Sequence, residues 1–440
     1  MSNFKTESVS SDHAFSDDRI LTRTKGVAPM CMYSADRGHL TDFHFSHLSA
    51  FAYRGAALTI IEATAVLDNG GITPQDSGLW EDSQIEPIRR LATYVHSQGQ
   101  KLGIQLAHAG RKASTVAPWL VARGGSRIAT KEEGGWEERV WGASPIVWGE
   151  GHVTPKEMTL DDIKTFIDGF AASAKRAVQA GIDVIEIHAA HGYLLSSFLS
   201  PISNVRTDKY GGSFDGRIRI LLEVIEAVRA VIPSGMPLLV RVSATEWMEH
   251  KGKPSWDIPS TIELAKKLPA LGVDLLDVSS GGNNEEQVFS PFNDRQIAFA
   301  STIRNELRKV GIENLLIGAV GQITEADQAA SILQPSTTAT GIVATAKSVI
   351  DGVKNLVVGE AQQPQTGAAQ PTKEQAKEER AMVDVLDEQG AQAKADVVLI
   401  ARQFLREPDF VLRAAHRLGV DVAWPTQYGY ASKFRPGSKI

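Results

Sequence analysis

The stretch VIEIHAAHGYLLSSFLSP, residues 184–201, opens on an apolar β-type run and breaks at its end into a turn carrying two histidines and a tyrosine. Such apolar continuity suits a strand buried on both faces, as in a parallel sheet covered by helices. Seven similar runs lie outward from it. KGVAPMCMY near Val27, LTIIEATAV near Ile60 and KLGIQLAHAG near Ile104 precede it; PLLVRVSA near Val240, LLDVSSGG near Val278, LLIGAVGQ near Ile317 and ADVVLIAR near Leu399 follow. Helical spacing fills most of the intervals, with helices expected over 43–54, 86–97, 160–180, 217–231, 258–268, 297–309 and 408–417. Eight such units closing on themselves make a single α/β (β/α)8 TIM barrel, and an open doubly wound sheet is the competing architecture. No GxGxxG follows any of these runs, which argues against a Rossmann unit.

Two stretches depart from the repeat. Residues 118–148, with Trp119, Trp136, Trp141 and Trp148, follow the third strand without helical periodicity and read as a long loop over the barrel mouth, either a lid or a loop anchored by its own aromatics. Residues 334–394, rich in Ala, Gln, Glu and Lys, read as a flexible or helical insertion before the eighth strand, with an amphipathic helix expected over 372–388. The expected organisation is therefore an N-terminal extension over 1–25, a barrel over 26–430 interrupted by that insertion, and a tail over 431–440.

With 440 residues, 42% hydrophobic and 22% charged, the chain has enough apolar material for a large core. A net charge of −6 without a basic run leaves no footprint for a nucleic-acid backbone. One cysteine forbids an intrachain disulfide, a four-thiolate zinc site and a cysteine-held iron–sulfur cluster, and points to a reducing compartment. No apolar run approaches the roughly 20 residues that span a bilayer, so no membrane role is expected. A cytoplasmic location is expected, with the C-terminal Ser438-Lys439-Ile440 leaving a peroxisomal address as a minor alternative.

In a barrel, reactive groups belong at the carboxyl ends of strands. There the sequence places Cys31 and Tyr33, Ala63, Gln105 with His108 and Lys112, His188 with His191 and Tyr193, then Arg241, Ser279, Gly321 and Arg402. Arg241, inside an apolar strand, needs a negative partner: an anionic ligand or a core acid such as Glu186. Two neutral imidazoles at 188 and 191 can polarise a carbonyl oxygen, and Tyr193 can donate a proton at neutral pH. The rival for the histidine pair is zinc, as in a metal-dependent barrel hydrolase, which requires further ligands. Small residues ending the last strands, together with Ala401 and Arg402, suit a phosphate site, while ligand-free glycine turns are the alternative.

APMCMYS, GIQLAHAGRKAS, EIHAAHGYLLSSFLSPISNVRTDKYGGS, VRVSA, GAVG and ARQFLREP occur in order, each at an expected strand end. In these motifs the chain resembles the Old Yellow Enzyme family of FMN-dependent ene-reductases, in particular its thermophilic-like bacterial and fungal subgroup, from about Val27 to Gln427. The resemblance implies bound FMN, with Pro29, Met30, Cys31, Ala63, Gln105 and Arg241 around the isoalloxazine and Ser279, Gly321, Ala401 and Arg402 on the ribityl phosphate. It implies NADPH or NADH as a transient reductant and enones, enals or maleimides as substrates. His188 and His191 would hold the substrate carbonyl, Tyr193 would protonate, and Tyr33 would shape the pocket. A homodimer is compatible with the family, although Tyr430 stands where the subgroup often has an arginine reaching into a partner subunit, and Gly216 stands where asparagine is usual. An FMN-binding barrel with little turnover is the alternative within the same resemblance.

Overall fold

The computed structural model describes residues 26–121, 127–289, 295–334, 393–419, 425 and 428. Eight parallel strands close into a barrel: β1 Gly26–Val27, β2 Leu58–Ala65, β3 Lys101–Ala107, β4 Val184–Ala189, β5 Leu238–Ser243, β6 Leu275–Ser279, β7 Leu316–Ala319 and β8 Val397–Ile400. Each strand pairs with its sequence neighbours, and β1 closes the ring by pairing with both β2 and β8. The (β/α)8 expectation holds, and the open sheet is set aside.

Helices α1 Asp42–Ala52, α2 Ile85–Ser97, α3 Leu160–Gln179, α4 Phe214–Arg229, α5 Ile258–Ala265, α6 Arg295–Lys309, α7 Ala326–Leu333 and α8 Phe410–Leu418 pack around the barrel. The longest, α3, shows how sequence sets position. Thr159 caps its start by accepting from Asp162 N at 3.1 Å, and Gly181 at φ +87° lies just beyond its end. Between these signals Ile163, Phe166, Phe170, Ala174 and Ala177 recur every three or four residues and are all fully buried. Each large side chain on that stripe contributes about 1.5–3 kcal/mol of burial. The helix α7 follows β7, where the strand–helix repeat calls for one although no residue range was expected for it.

Two sequence expectations need refinement. The first apolar run is strand only over Gly26–Val27, because Pro29 has no N–H to give to a ladder. Beyond it Met32 N donates instead to Glu62 Oε1 at 3.0 Å, and Tyr33 turns left-handed at φ +49°. The loop over the mouth carries some regular structure: a short helix at Pro118–Val121 and a strand pair, Trp141–Gly142 beside Lys156–Glu157. Gly216 lies in the first turn of α4, where an added Cβ would stand 2.1 Å from the carbonyl oxygen of Gly211. The expected extension over 1–25, residues 335–392 of the insertion with the helix expected at 372–388, Tyr430 and the tail lie outside the described residues. Among the described residues, no helix is long and apolar enough to cross a membrane.

Candidate active site

The strand β4 delivers His188 to the carboxyl end of the barrel, and the chain then reverses through two consecutive left-handed residues, His191 at φ +62° and Gly192 at φ +74°. Glycine is required at 192, since a Cβ there would meet Gly282 O at 2.2 Å. Ser243 Oγ accepts from His191 N at 2.9 Å and fixes the turn. The rings of His188, His191 and Tyr193 are thereby gathered edge to face: centroids are 5.1 Å apart for the two histidines, 4.9 Å for His188 and Tyr193, and 6.5 Å for His191 and Tyr193.

Burial sets the protonation states. Desolvation, aided by His191, Arg241 and Lys112, holds His188 well below the usual imidazole range, and desolvation with Arg241 and Lys112 lowers His191 to about 3. Both rings are neutral at pH 7. His188 Nδ1 accepts from Ala190 N at 3.2 Å, so its ring proton sits on Nε2. Desolvation, with Cys31, Tyr33 and Asp76 nearby, pushes Tyr193 well above the ordinary phenol value, so it keeps its proton. Cys31 is raised by burial and by Asp76 and Glu62, which keeps it a thiol rather than a nucleophilic thiolate.

Beneath this cluster lies a buried charged group drawn from adjacent strands. The register sets Arg241 of β5 beside Asp277 of β6, and Gln105 of β3 beside Glu186 of β4. Arg241 Nε donates to Asp277 Oδ2 at 2.5 Å and lies 3.7 Å from Glu186 Oε1, which also accepts from Gln105 Nε2 at 2.6 Å. Burial opposes the guanidinium charge, but Asp277 and Glu186 outweigh it and hold Arg241 charged. Burial lifts Glu186 to about 8, which favours its protonated form beside the Arg241 guanidinium. Glu186 is the core acid considered for Arg241 from sequence; Asp277, the closer partner, was missed.

Next to this cluster, Ser279 ends β6, while Gly321 and Ala401 with Arg402 follow the neighbouring strands β7 and β8. Gly321, at φ +116°, leaves space taken by Gln296, whose Oε1 lies 1.8 Å from where a Cβ would stand. Ser279 Oγ meets His191 Nε2 at 2.6 Å. Arg402 is exposed at the start of the short helix Arg402–Arg406. Across the mouth, Tyr33 meets Trp119 of the loop edge to face at 5.6 Å. Ala63 lines one small cavity with Tyr193, while Pro29 and Met30 are half-buried just beyond β1.

Sequence reasoning gave no role to the clamp that fastens the loop. Lys112 Nζ donates to His191 O at 2.9 Å and Gly282 O at 3.1 Å, and it lies over the rings of Trp148 and Tyr193. Trp148 Nε1 donates to the same Gly282 O at 2.8 Å, and Arg111 reaches Ile146 O, Val147 O and Asn283. The adjacent cations Arg111 and Lys112 directly after a strand end were the available signal. Asp76, buried beside Tyr193, gave none. Among the described residues, no group of three or more His, Cys, Asp or Glu side chains is placed to hold a metal ion, so nothing completes a zinc site around His188 and His191.

The profile of the NADH:flavin oxidoreductase / NADH oxidase family matches residues 19–357. An NADH:flavin oxidoreductase of Gibberella zeae is 48% identical over 315 residues, covering 70% of this chain and 75% of that one. NADPH dehydrogenases of Bacillus velezensis and Listeria innocua are 36% and 38% identical, each covering 92% of this chain and 94% of its relative. Among solved structures, a morphinone reductase mutant in complex with tetrahydroNAD superimposes with a TM-score of 0.55 at 21% identity over 91% of this chain and 88% of that one. A 2-naphthoyl-CoA reductase complex gives a TM-score of 0.65 at 19% identity, covering 93% of this chain but 53% of the longer protein. At these identities the two structures speak to the fold alone.

Proposed function

Since the chain belongs to the NADH:flavin oxidoreductase / NADH oxidase family, that of the Old Yellow Enzymes, whose cofactor is FMN and whose reductant is NADH or NADPH, we propose that it reduces the activated C=C bond of α,β-unsaturated carbonyl compounds. The observation that carries this reading is the gathering of two neutral imidazoles and one protonated phenol within 6.5 Å at the end of β4.

The residues present fit FMN. Arg241 Nη2 is buried against Asp277 without an aligned hydrogen bond, and Glu186 Oε2 and Asp277 Oδ1 are buried without partners, so polar capacity remains at this end of the barrel. Gly281, Gly282 and Gly321 all have positive φ, and the space of a Cβ is filled by Gln287 and Phe289, by the His191 backbone and by Gln296, so glycine is needed at each for the chain to turn at these strand ends. Gln105 and Arg241 would take the pyrimidine edge, with Pro29, Met30, Cys31 and Ala63 around the ring. Ser279, Gly321, Ala401 and Arg402 would hold the phosphate. When bound, FMN would supply the hydride chemistry that links nicotinamide oxidation to reduction of the substrate.

His188, donating from Nε2, and His191 hold the carbonyl oxygen and stabilise the negative charge that develops on it. Because Ser279 occupies His191 Nε2, a donor on His191 is its Nδ1–H, with the Ser279 hydroxyl donating to Nε2. Tyr193 passes its proton to the α-carbon, and the loop fastened by Lys112 and Arg111 limits the access of bulk water. The test is anaerobic mixing of NADPH-reduced holoenzyme with cyclohexenone or N-ethylmaleimide. Stoichiometric reoxidation with formation of the saturated product is expected; reduced protein that reacts only with oxygen contradicts the proposal.

A further inference from the structure

Resting on the role given to Tyr193, we propose that Asp76 is the relay through which that phenol regains its proton, because Asp76 stands where a one-water cavity beside Tyr193 meets a cleft at the barrel rim. The inner cavity, about 10 Å³, is lined by Tyr193, Asp76 and small residues including Ala65 and Ala107. That is close to the smallest space that holds one water, and a carboxyl and a phenol supply polar partners for it. The outer cleft, about 220 Å³, lies between the loops that follow the first three strands. Its walls include Trp80 and Trp136, and the well-exposed Arg37 and Arg139 place it at the surface. Asp76 lines both spaces and is itself only 6% exposed.

The carboxyl is held in place. Oδ2 accepts from Ile72 N at 2.7 Å, and Oδ1 accepts from Thr73 Oγ1 at 2.7 Å and Thr73 N at 3.2 Å. Burial raises Asp76 to about 7 despite these hydrogen bonds, with Glu62 adding to the rise, so a substantial fraction is protonated at neutral pH. The groups whose charge it feels or influences are Glu62, Cys31, Tyr33 and Tyr193 on the inner side, while Arg37, Asp68 and Arg139 surround the outer cleft.

Each reduction consumes one solvent proton. After Tyr193 gives its proton to the α-carbon, the phenolate takes a proton from the bridging water as that water takes one from the Asp76 carboxyl. The Asp76 carboxylate then takes up the solvent proton from hydronium or a buffer acid that reaches it through the outer cleft. Transfer from a carboxylic acid near 7 to a phenolate of far higher affinity runs downhill. In this role Asp76 acts through Tyr193 rather than on the substrate's reacting carbons.

Asp76→Asn keeps an oxygen acceptor and cannot cycle a proton. In the holoenzyme it is expected to reduce cyclohexenone at the wild-type rate in a single turnover, because Tyr193 starts protonated, while steady-state kcat falls about tenfold or more. Millimolar formate or imidazole, entering through the outer cleft, is expected to restore kcat, which repair of a merely structural defect would not do. Ala65→Val, which fills the water cavity and leaves the Asp76 hydrogen bonds untouched, is expected to lower steady-state kcat in the same way and serves if Asp76→Asn does not fold. Unchanged steady-state kcat in a folded variant, or a loss already complete in the first turnover, overturns the relay. Failure of the Tyr193 reading is separate: it shows as a wild-type rate of enone reduction in Tyr193→Phe.

Discussion

The ring of His188 stands perpendicular to that of Tyr193, at 89°, with centroids 4.9 Å apart. One turn, made left-handed at His191 and Gly192, produces this relationship and brings a neutral imidazole and a protonated phenol to one side of the barrel mouth.

Tyr193→Phe removes the phenolic hydroxyl proposed as proton donor and keeps the packing. Oxidation of the reduced holoenzyme by cyclohexenone is expected to slow by about 10²–10⁴-fold, the usual contribution of a positioned general acid. Reduction by NADPH is expected to stay within about twofold of wild type. Stopped-flow measurement of the two half-reactions separates these effects.

Acid should destabilise the fold through its buried imidazoles. His108 and His191 are each lowered to about 3 by burial, whereas in the unfolded chain they titrate near 6.5. Between these values the unfolded chain binds more protons, so stability rises with pH there and is lost as pH falls from 6.5 toward 3. Each group contributes about 1.4 kcal/mol per pH unit across that window. Urea denaturation at pH 7 and pH 5 is expected to show a clear drop at the lower pH, and His108→Gln should reduce the size of that drop.

Arg241→Met leaves Asp277 and Glu186 buried without their cation. A loss of about 3–5 kcal/mol is expected in apoprotein unfolding, the usual cost of breaking a buried pair from one side. Adding Asp277→Asn should recover part of it, and no recovery would indicate that the pair is not coupled.

Lys112→Met removes the donor shared by His191 O and Gly282 O. Displacement of His191 and loosening of residues 146–148 should raise KM for cyclohexenone several-fold, with a smaller effect on kcat. Faster proteolysis within residues 118–148 of the variant would report the same loosening directly.

The barrel was legible because parallel strands buried on both faces announce themselves as apolar runs, and the positions where those runs stop named His188, His191, Tyr193 and Arg241. Pairing is not written in a single run. Asp277 looks like an interruption of LLDVSSGG until the register sets it beside Arg241. Lys112 follows a strand end, but its bonds to His191 O and Gly282 O come only from the fold, and Asp76 lies in a loop where neither periodicity nor a strand end points to it. The first strand was overread because apolar composition continues past Pro29 although the ladder cannot.

The most direct measurement follows the two hydrogens. Cyclohexenone bearing a resolvable α-substituent is reduced with NADPH carrying deuterium at the transferred position, in ordinary water, and in parallel with unlabelled NADPH in deuterium oxide. Label from the nicotinamide at the β-carbon only, and label from solvent at the α-carbon only, is the expected result. Nicotinamide label at the α-carbon, or no saturated product from a holoenzyme that NADPH reduces, would contradict it.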